Sequence, residues 1–392
     1  MNRIAWKVLT ASILACFALP AHAKPQGADF GAEAKLLYRV VACAGDEALP
    51  AHLDAKTVAR HCKEIAPRMQ RYSDRYAGTA KEFIARLRPD GLPTTVVYPF
   101  GGGDLISVLT AYPAAQDITT LSLEHAGDPR RIGSVDKKRL AQSLALVRKT
   151  IWGLLTADNS TTVNLQKGQR GEIPGQLAFF VVALAVHGFE PVSLRYFRFE
   201  PDGSLHYLTQ AEITEQEQTL ARTLRGKWAP PDSSVAFSNM ELTFRPRGEP
   251  DAPLRVHRHV AANLADTGLE ADAGLSNYLE SKGRISAITK AASYLLWREE
   301  FSKIRSYLLD HMEFMISDST GIPPRYATEA GFRLETYGNF SGSFLRAHPK
   351  HNRDFRTLWR SQPKRKLAFR FGYIDSAGRY HMLVARKAPQ VQ

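Results

Sequence analysis

A chain of 392 residues, 44% apolar and 23% charged, has the composition of a globular protein with a sizeable core, which excludes a disordered or low-complexity chain. Its formal net charge of +13 points to anionic partners, while its three cysteines lack the accompanying Cys or His spacing of a zinc site.

The N-terminus reads as an export signal. Arg3 and Lys7 give a positive start, residues 8–19 are apolar but short for a bilayer, and Ala21 and Ala23 place small residues where a signal peptidase cuts. Residues 1–23 are therefore expected to be removed, with an uncleaved anchor or a lipoprotein site at Cys16 as alternatives. No later apolar run reaches bilayer length, so the mature chain is expected to lack a transmembrane segment and to work in the periplasm or outside the cell. Cys43 and Cys62 then remain in an oxidising compartment. They are expected to form a disulfide that stabilises the fold by roughly 3 kcal/mol.

Residues 32–43, 54–69 and 71–87 carry apolar side chains at three-to-four spacing and predict a helical N-terminal segment over 24–90. The period then changes. Residues 94–100 are β-branched and aromatic, Gly101, Gly102 and Gly103 interrupt them, Asp104 can cap a helix from Leu105, and 118–123 form a second strand ending at Glu124. This strand–turn–helix–strand order predicts two parallel strands. Residues 134–156 predict a long helix, and 177–186 are continuously apolar, a buried strand or a buried helix. Antiparallel signals follow: a hairpin of 192–200 with 205–209, a helix at 211–224, a loop at 230–232, and strands 240–245 and 254–261 around a proline-rich turn. Residues 276–282 and 285–309 predict helices, and 314–316, 332–337, 367–374 and 381–385 predict strands, the last pair around a turn at 375–378. The expected fold is α/β: a Rossmann-like mixed sheet with antiparallel additions and a helical N-terminal cap, residues 91–392 forming one body that ends in a basic stretch.

Two loops carry candidate chemistry. At the first, Gly101, Gly102, Gly103 and Asp104 let backbone amides approach a small polar or anionic ligand at a helix start, with Glu124 closing the next strand; a tight turn needed only for packing is the plainer reading. At the second, residues 317–323, Asp318 could act as a base and Ser319 or Thr320 as a nucleophile if a histidine such as His125, His187 or His311 approached. The plainer reading there is an Asx turn in which Asp318 and Ser319 satisfy their own backbone. His187 reads as a capping or core residue. His257 and His259 share one strand face but lack a third ligand, so no metal is expected; Lys290, expected in a helix, could pair with an acid or reach a ligand phosphate, an exposed helix lysine being the plainer reading. Between Arg346 and Arg370 nine Lys or Arg face one acid, Asp354, a basic surface that an anionic envelope component could meet, a solvated surface with no partner being the plainer reading; no nucleic-acid module is evident.

The segment from Val96 to Glu124 resembles the first motif of class I methyltransferases and other Rossmann-like enzymes, which implies their fold. It departs from their pattern in having Ile106 where a third glycine would stand and no acid before the glycines. S-adenosylmethionine and nicotinamide cofactors are cytosolic, so no cofactor is expected for an exported chain. The blocks 98–104, 290–294 and 317–323 resemble those of an exported bacterial family with no assigned activity. Two functions are open: an exported binding protein using the glycine corner, or a hydrolase-like enzyme using Asp104 or Asp318, Ser319 and a histidine at the strand ends. If the two loops lie at opposite ends of the sheet, the enzyme is excluded.

Overall fold

The computed structural model describes residues 27–155, 173–224, 234–290, 292–340, 342, 348–372 and 380–388. The export signal and the turns expected at 230–232 and 375–378 lie outside the described residues, as does Thr156 at the end of the expected 134–156 helix.

Ten strands form one mixed sheet in the order β4-β3-β5-β6-β2-β1-β7-β8-β10-β9. They are β1 Thr95–Pro99, β2 Asp117–Ser122, β3 Phe189–Phe199, β4 Leu205–Tyr207, β5 Asn239–Pro246, β6 Arg255–Ala261, β7 Ile285–Thr289, β8 Met312–Ser317, β9 Phe332–Gly338 and β10 His381–Lys387. The central five, β6-β2-β1-β7-β8, are mutually parallel. The antiparallel hairpins β3–β4 and β5–β6 extend one side, and β10 runs antiparallel between β8 and β9 on the other. In the parallel set the order reverses between β1 and β7, the point at which doubly wound sheets open a ligand crevice beyond their carboxyl ends.

Helices cover both faces. One apolar cluster joins the N-terminal helices Gly31–Val41, Ala55–Tyr72 and Gly78–Ala85 to Leu105–Ala111, Lys137–Leu155 and Gly175–Val186. The other gathers Asp266–Ala271, Ala273–Glu280, Ser302–His311, Pro324–Glu329 and Pro349–Ser361. Covered on both sides, β1, β2 and β7 are buried along almost their whole length, so no in-and-out alternation marks them.

The N-terminal cap forms as expected. Asp54 starts the second helix by accepting from Thr57 N (3.1 Å) and Thr57 Oγ1 (2.6 Å), and a π-helical turn, Ser73–Ala77, leads into the third. The disulfide joins Cys43 to Cys62, 19 positions apart, with Cα atoms 5.4 Å apart. The ambiguous run at 177–186 is a helix: Gly175–Val186 is apolar all round, buried from Gly175 to Leu184, and ends at His187, which caps it, before Gly188 at a φ of 75°.

Two expectations are corrected. Residues 285–309 are not one helix. Ile285–Thr289 is the fully buried strand β7, Glu299–Phe301 is a short 3-10 turn, and only Ser302–His311 is α-helical. Two β-branched isoleucines and a threonine among small residues favour a strand buried on both faces, where no alternation marks it. Residues 367–372 form no strand either; Phe369 and Phe371 turn into the core from irregular chain, and 373–374 lie outside the described residues.

Candidate functional site

The parallel arrangement places the glycine loop after β1, Lys290 after β7 and the 317–323 loop after β8 at the same carboxyl end of the sheet, on neighbouring strands. The two loops do not lie at opposite ends.

The backbone of the glycine loop is under strain. Phe100 adopts a φ of 59° and Gly102 one of 49°, and a bulky residue in the left-handed region persists only where its surroundings force it. Gly101 and Gly103 have no room for a side chain. A Cβ on Gly101 would lie 2.6 Å from the Tyr98 ring, and one on Gly103 would lie 2.5 Å from Phe179 and 2.8 Å from Gln176 Oε1. The Gly175–Val186 helix therefore sits directly on the loop. Gln176 is wholly buried there, and neither its amide oxygen nor its nitrogen has a hydrogen-bond partner among the described residues.

Asp104 caps the Leu105–Ala111 helix, its Oδ1 accepting from Ser107 N at 3.3 Å. Its Oδ2 accepts from Tyr98 Oη and from Lys290 Nζ, each at 3.2 Å, and the same ammonium donates to Ser107 Oγ at 3.0 Å. Lys290 is buried and pairs with an acid, one of the roles open to it in the sequence; what is corrected is its place, since it follows the end of β7 instead of standing in an exposed helix. Burial, reinforced by the charges of Asp104 and Asp318, holds the Tyr98 phenol well above its ordinary range, so it stays a donor. Tyr72 and Tyr76, reaching in from the N-terminal cap, are raised mainly by burial, with Asp104 adding to the effect.

Glu124, two residues past the end of β2, is buried, and its Oε1 has no hydrogen-bond partner among the described residues. A chain of hydrogen bonds leads to its backbone. The Glu124 carbonyl can only accept, so His259 Nε2 donates to it (2.8 Å). With that ring neutral, Nδ1 must accept from Thr120 Oγ1 (3.1 Å), leaving His257 Nε2 to donate to Thr120 Oγ1 at 3.0 Å. Burial lowers both histidines below the ordinary imidazole range, in keeping with neutral rings packed against Phe180. They brace β2 to β6. Among the described residues no group of three or more His, Cys, Asp or Glu is arranged to hold a metal ion.

At the 317–323 loop, Asp318 Oδ1 accepts from Thr320 N (2.8 Å) and from the Thr320 hydroxyl, an Asx turn. Ser317 Oγ accepts from Thr289 Oγ1 (2.7 Å), and a side chain on Gly321 would collide with both hydroxyls. Ser319 does meet a histidine, but none of those expected. His125 is near Ser238, His311 joins Glu280 and Gly283 at the opposite end of the sheet, and His187 sits between Thr110 and Ile106, its pKa lowered by burial to about 3. The partner is His381, the first residue of β10. Ser319 Oγ lies 2.7 Å from His381 Nε2, and Ser319 N donates to the same nitrogen at 3.1 Å. Since a backbone N–H only donates, Nε2 is unprotonated and accepts from the hydroxyl as well. Both residues are buried, with Phe340 and Trp359 ringing the imidazole at 5.3 and 5.6 Å. The pair is 62 positions apart in the chain and leaves no local sequence signal; only the antiparallel placement of β10 beside β8 brings it together.

No family model and no curated protein matches the chain.

Proposed function

We propose that the chain is an exported binding protein that holds a small polar or anionic ligand at the carboxyl ends of β1, β2 and β7, bounded by the glycine loop, Gln176 and Glu124. The observation that carries this reading is the Gln176 amide, buried against Gly103 with neither atom bonded among the described residues. An orphaned buried amide costs about 1–3 kcal/mol, and native proteins keep such groups where something else completes them. Glu124 Oε1, without a partner among the described residues, and the left-handed Phe100 support the same place. The topology supports it too: the glycine loop and Lys290 flank the switch point of the sheet. The disulfide fits an oxidising compartment.

A thermal-shift screen of the mature chain against nucleotides, sugar phosphates and lipid head groups tests the reading. A ligand at a hundredfold excess over its Kd stabilises by about 2.7 kcal/mol. Gln176→Leu is expected to be neutral or up to about 1 kcal/mol more stable without ligand, because it removes an unsatisfied polar group, and to lose that ligand's shift. No shift with any class, or an equal shift in the variant, sinks the assignment.

The second reading is a hydrolase-like enzyme, favoured by the 2.7 Å contact between Ser319 Oγ and an unprotonated His381 Nε2, the arrangement of a nucleophile and its base. Asp318 would then shape the turn rather than act as base. Activated aryl esters are the substrates to try. Turnover should vanish in both Ser319→Ala and His381→Asn, and wild-type turnover no greater than that of Ser319→Ala rules the enzyme out.

A further inference from the structure

The basic stretch that the sequence singles out folds into the Pro349–Ser361 helix and the irregular chain after it. Between them and β9 lies a cavity of about 270 Å³, with Phe340 and Trp359 on one side and Arg356, Arg360, Lys364 and Arg365 around the rest; among the described residues no carboxylate lines it. A second cavity, about 340 Å³, lies across the helix and shares Arg356 and Arg360 with the first while adding Arg353. Spacings of three and four put these three arginines on one helix face. Arg360 and Lys364 have no ion-pair partner among the described residues, and Glu335, the acid whose charge Arg365 feels, is held by Arg386 Nη1 at 2.6 Å. The Trp359 indole nitrogen is buried without an acceptor among the described residues.

We infer that this pair of cavities is a binding site for a phosphate-bearing ligand, separate from the glycine corner and independent of its reading. Arginine forks match phosphate oxygens two at a time, and cations gathered round a concavity concentrate anions there. Phe340 and Trp359 supply an apolar wall for the sugar, ring or acyl part. Two cavities sharing Arg356 and Arg360 suit a ligand with two phosphates, either a soluble phosphate ester or a phosphorylated lipid head group.

Two titrations separate these sources: fructose 1,6-bisphosphate by calorimetry, and phosphatidylglycerol vesicles by co-sedimentation, with phosphatidylcholine vesicles as the blank. Binding in the first assay alone identifies a soluble ester, and binding in the second alone a lipid head group. In whichever assay binds, R356Q/R360Q and R360Q/K364Q should each weaken affinity at least tenfold. K138Q/K149Q, which removes the same charge from exposed positions elsewhere, should leave it unchanged. Circular dichroism establishes that each variant is folded. Absence of binding in both assays, or equal losses in all three variants, overturns the inference.

Discussion

Asp104→Ala should be among the most damaging single changes in the molecule, lowering folding stability by about 3–5 kcal/mol. The carboxylate is the counter-ion of Lys290, and both are buried. Without it the ammonium keeps Ser107 Oγ at 3.0 Å but no opposite charge, and a buried charge stripped of its partner is far costlier than an intact pair is stabilising. The same change removes the cap of the Leu105–Ala111 helix, worth about 1 kcal/mol. Adding Lys290→Met should restore part of the loss, because the stranded charge is then gone. A double-mutant cycle by urea denaturation should give a coupling of about 0.5–3 kcal/mol, with the midpoint shifting and the slope steady. A loss of under about 0.5 kcal/mol for Asp104→Ala would show that the pair does not organise this corner.

Cys43→Ser with Cys62→Ser should cost about 3 kcal/mol, chiefly by freeing the unfolded chain. The bridge closes a loop between the first two helices, which make different contacts with the rest of the fold. The first reaches β3 through the Tyr38 hydroxyl, which donates to the Phe189 carbonyl at 2.7 Å, while the second carries Tyr72 toward Asp104. Losing the bridge therefore loosens the cap over the site as well as the fold. The urea midpoint of wild type should fall on adding reductant to that of the double serine variant, whose own midpoint should ignore reductant. Identical midpoints for all four samples would mean that the loop is held without the bridge.

What was legible in the sequence was whatever local chemistry dictates. The switch from three-to-four spacing to β-branched residues at Thr94, the glycines, and Asp104 three positions before the amide it caps were enough to place β1, its helix and β2 in parallel. The hairpin of β3 and β4 was equally plain from its turn. Segments buried on every side were not legible. Gly175–Val186 and Ile285–Thr289 carry no polar face, so periodicity cannot tell helix from strand, and the second was absorbed into the helix that follows. Misplacing β7 put Lys290 in a helix, where an exposed lysine was the plainer reading than the acid pair it makes. The helix Pro349–Ser361 was overlooked because its charges mask the narrow stripe of Phe355, Leu358 and Trp359. His381 could not have been found, since its partnership with Ser319 depends on sheet order alone.

That order also determines how the protein behaves among its neighbours. A sheet of ten strands would be a hazard for cross-chain pairing if its margins were long and apolar. One margin, β4, offers three residues; the other, β9, interleaves Arg333 and Glu335 with its inward side chains, and Gly338 N at its end is already taken by the Arg365 carbonyl at 2.9 Å. Stray chains therefore find little to zip onto, so the sheet can grow no further at either margin without first displacing what caps it.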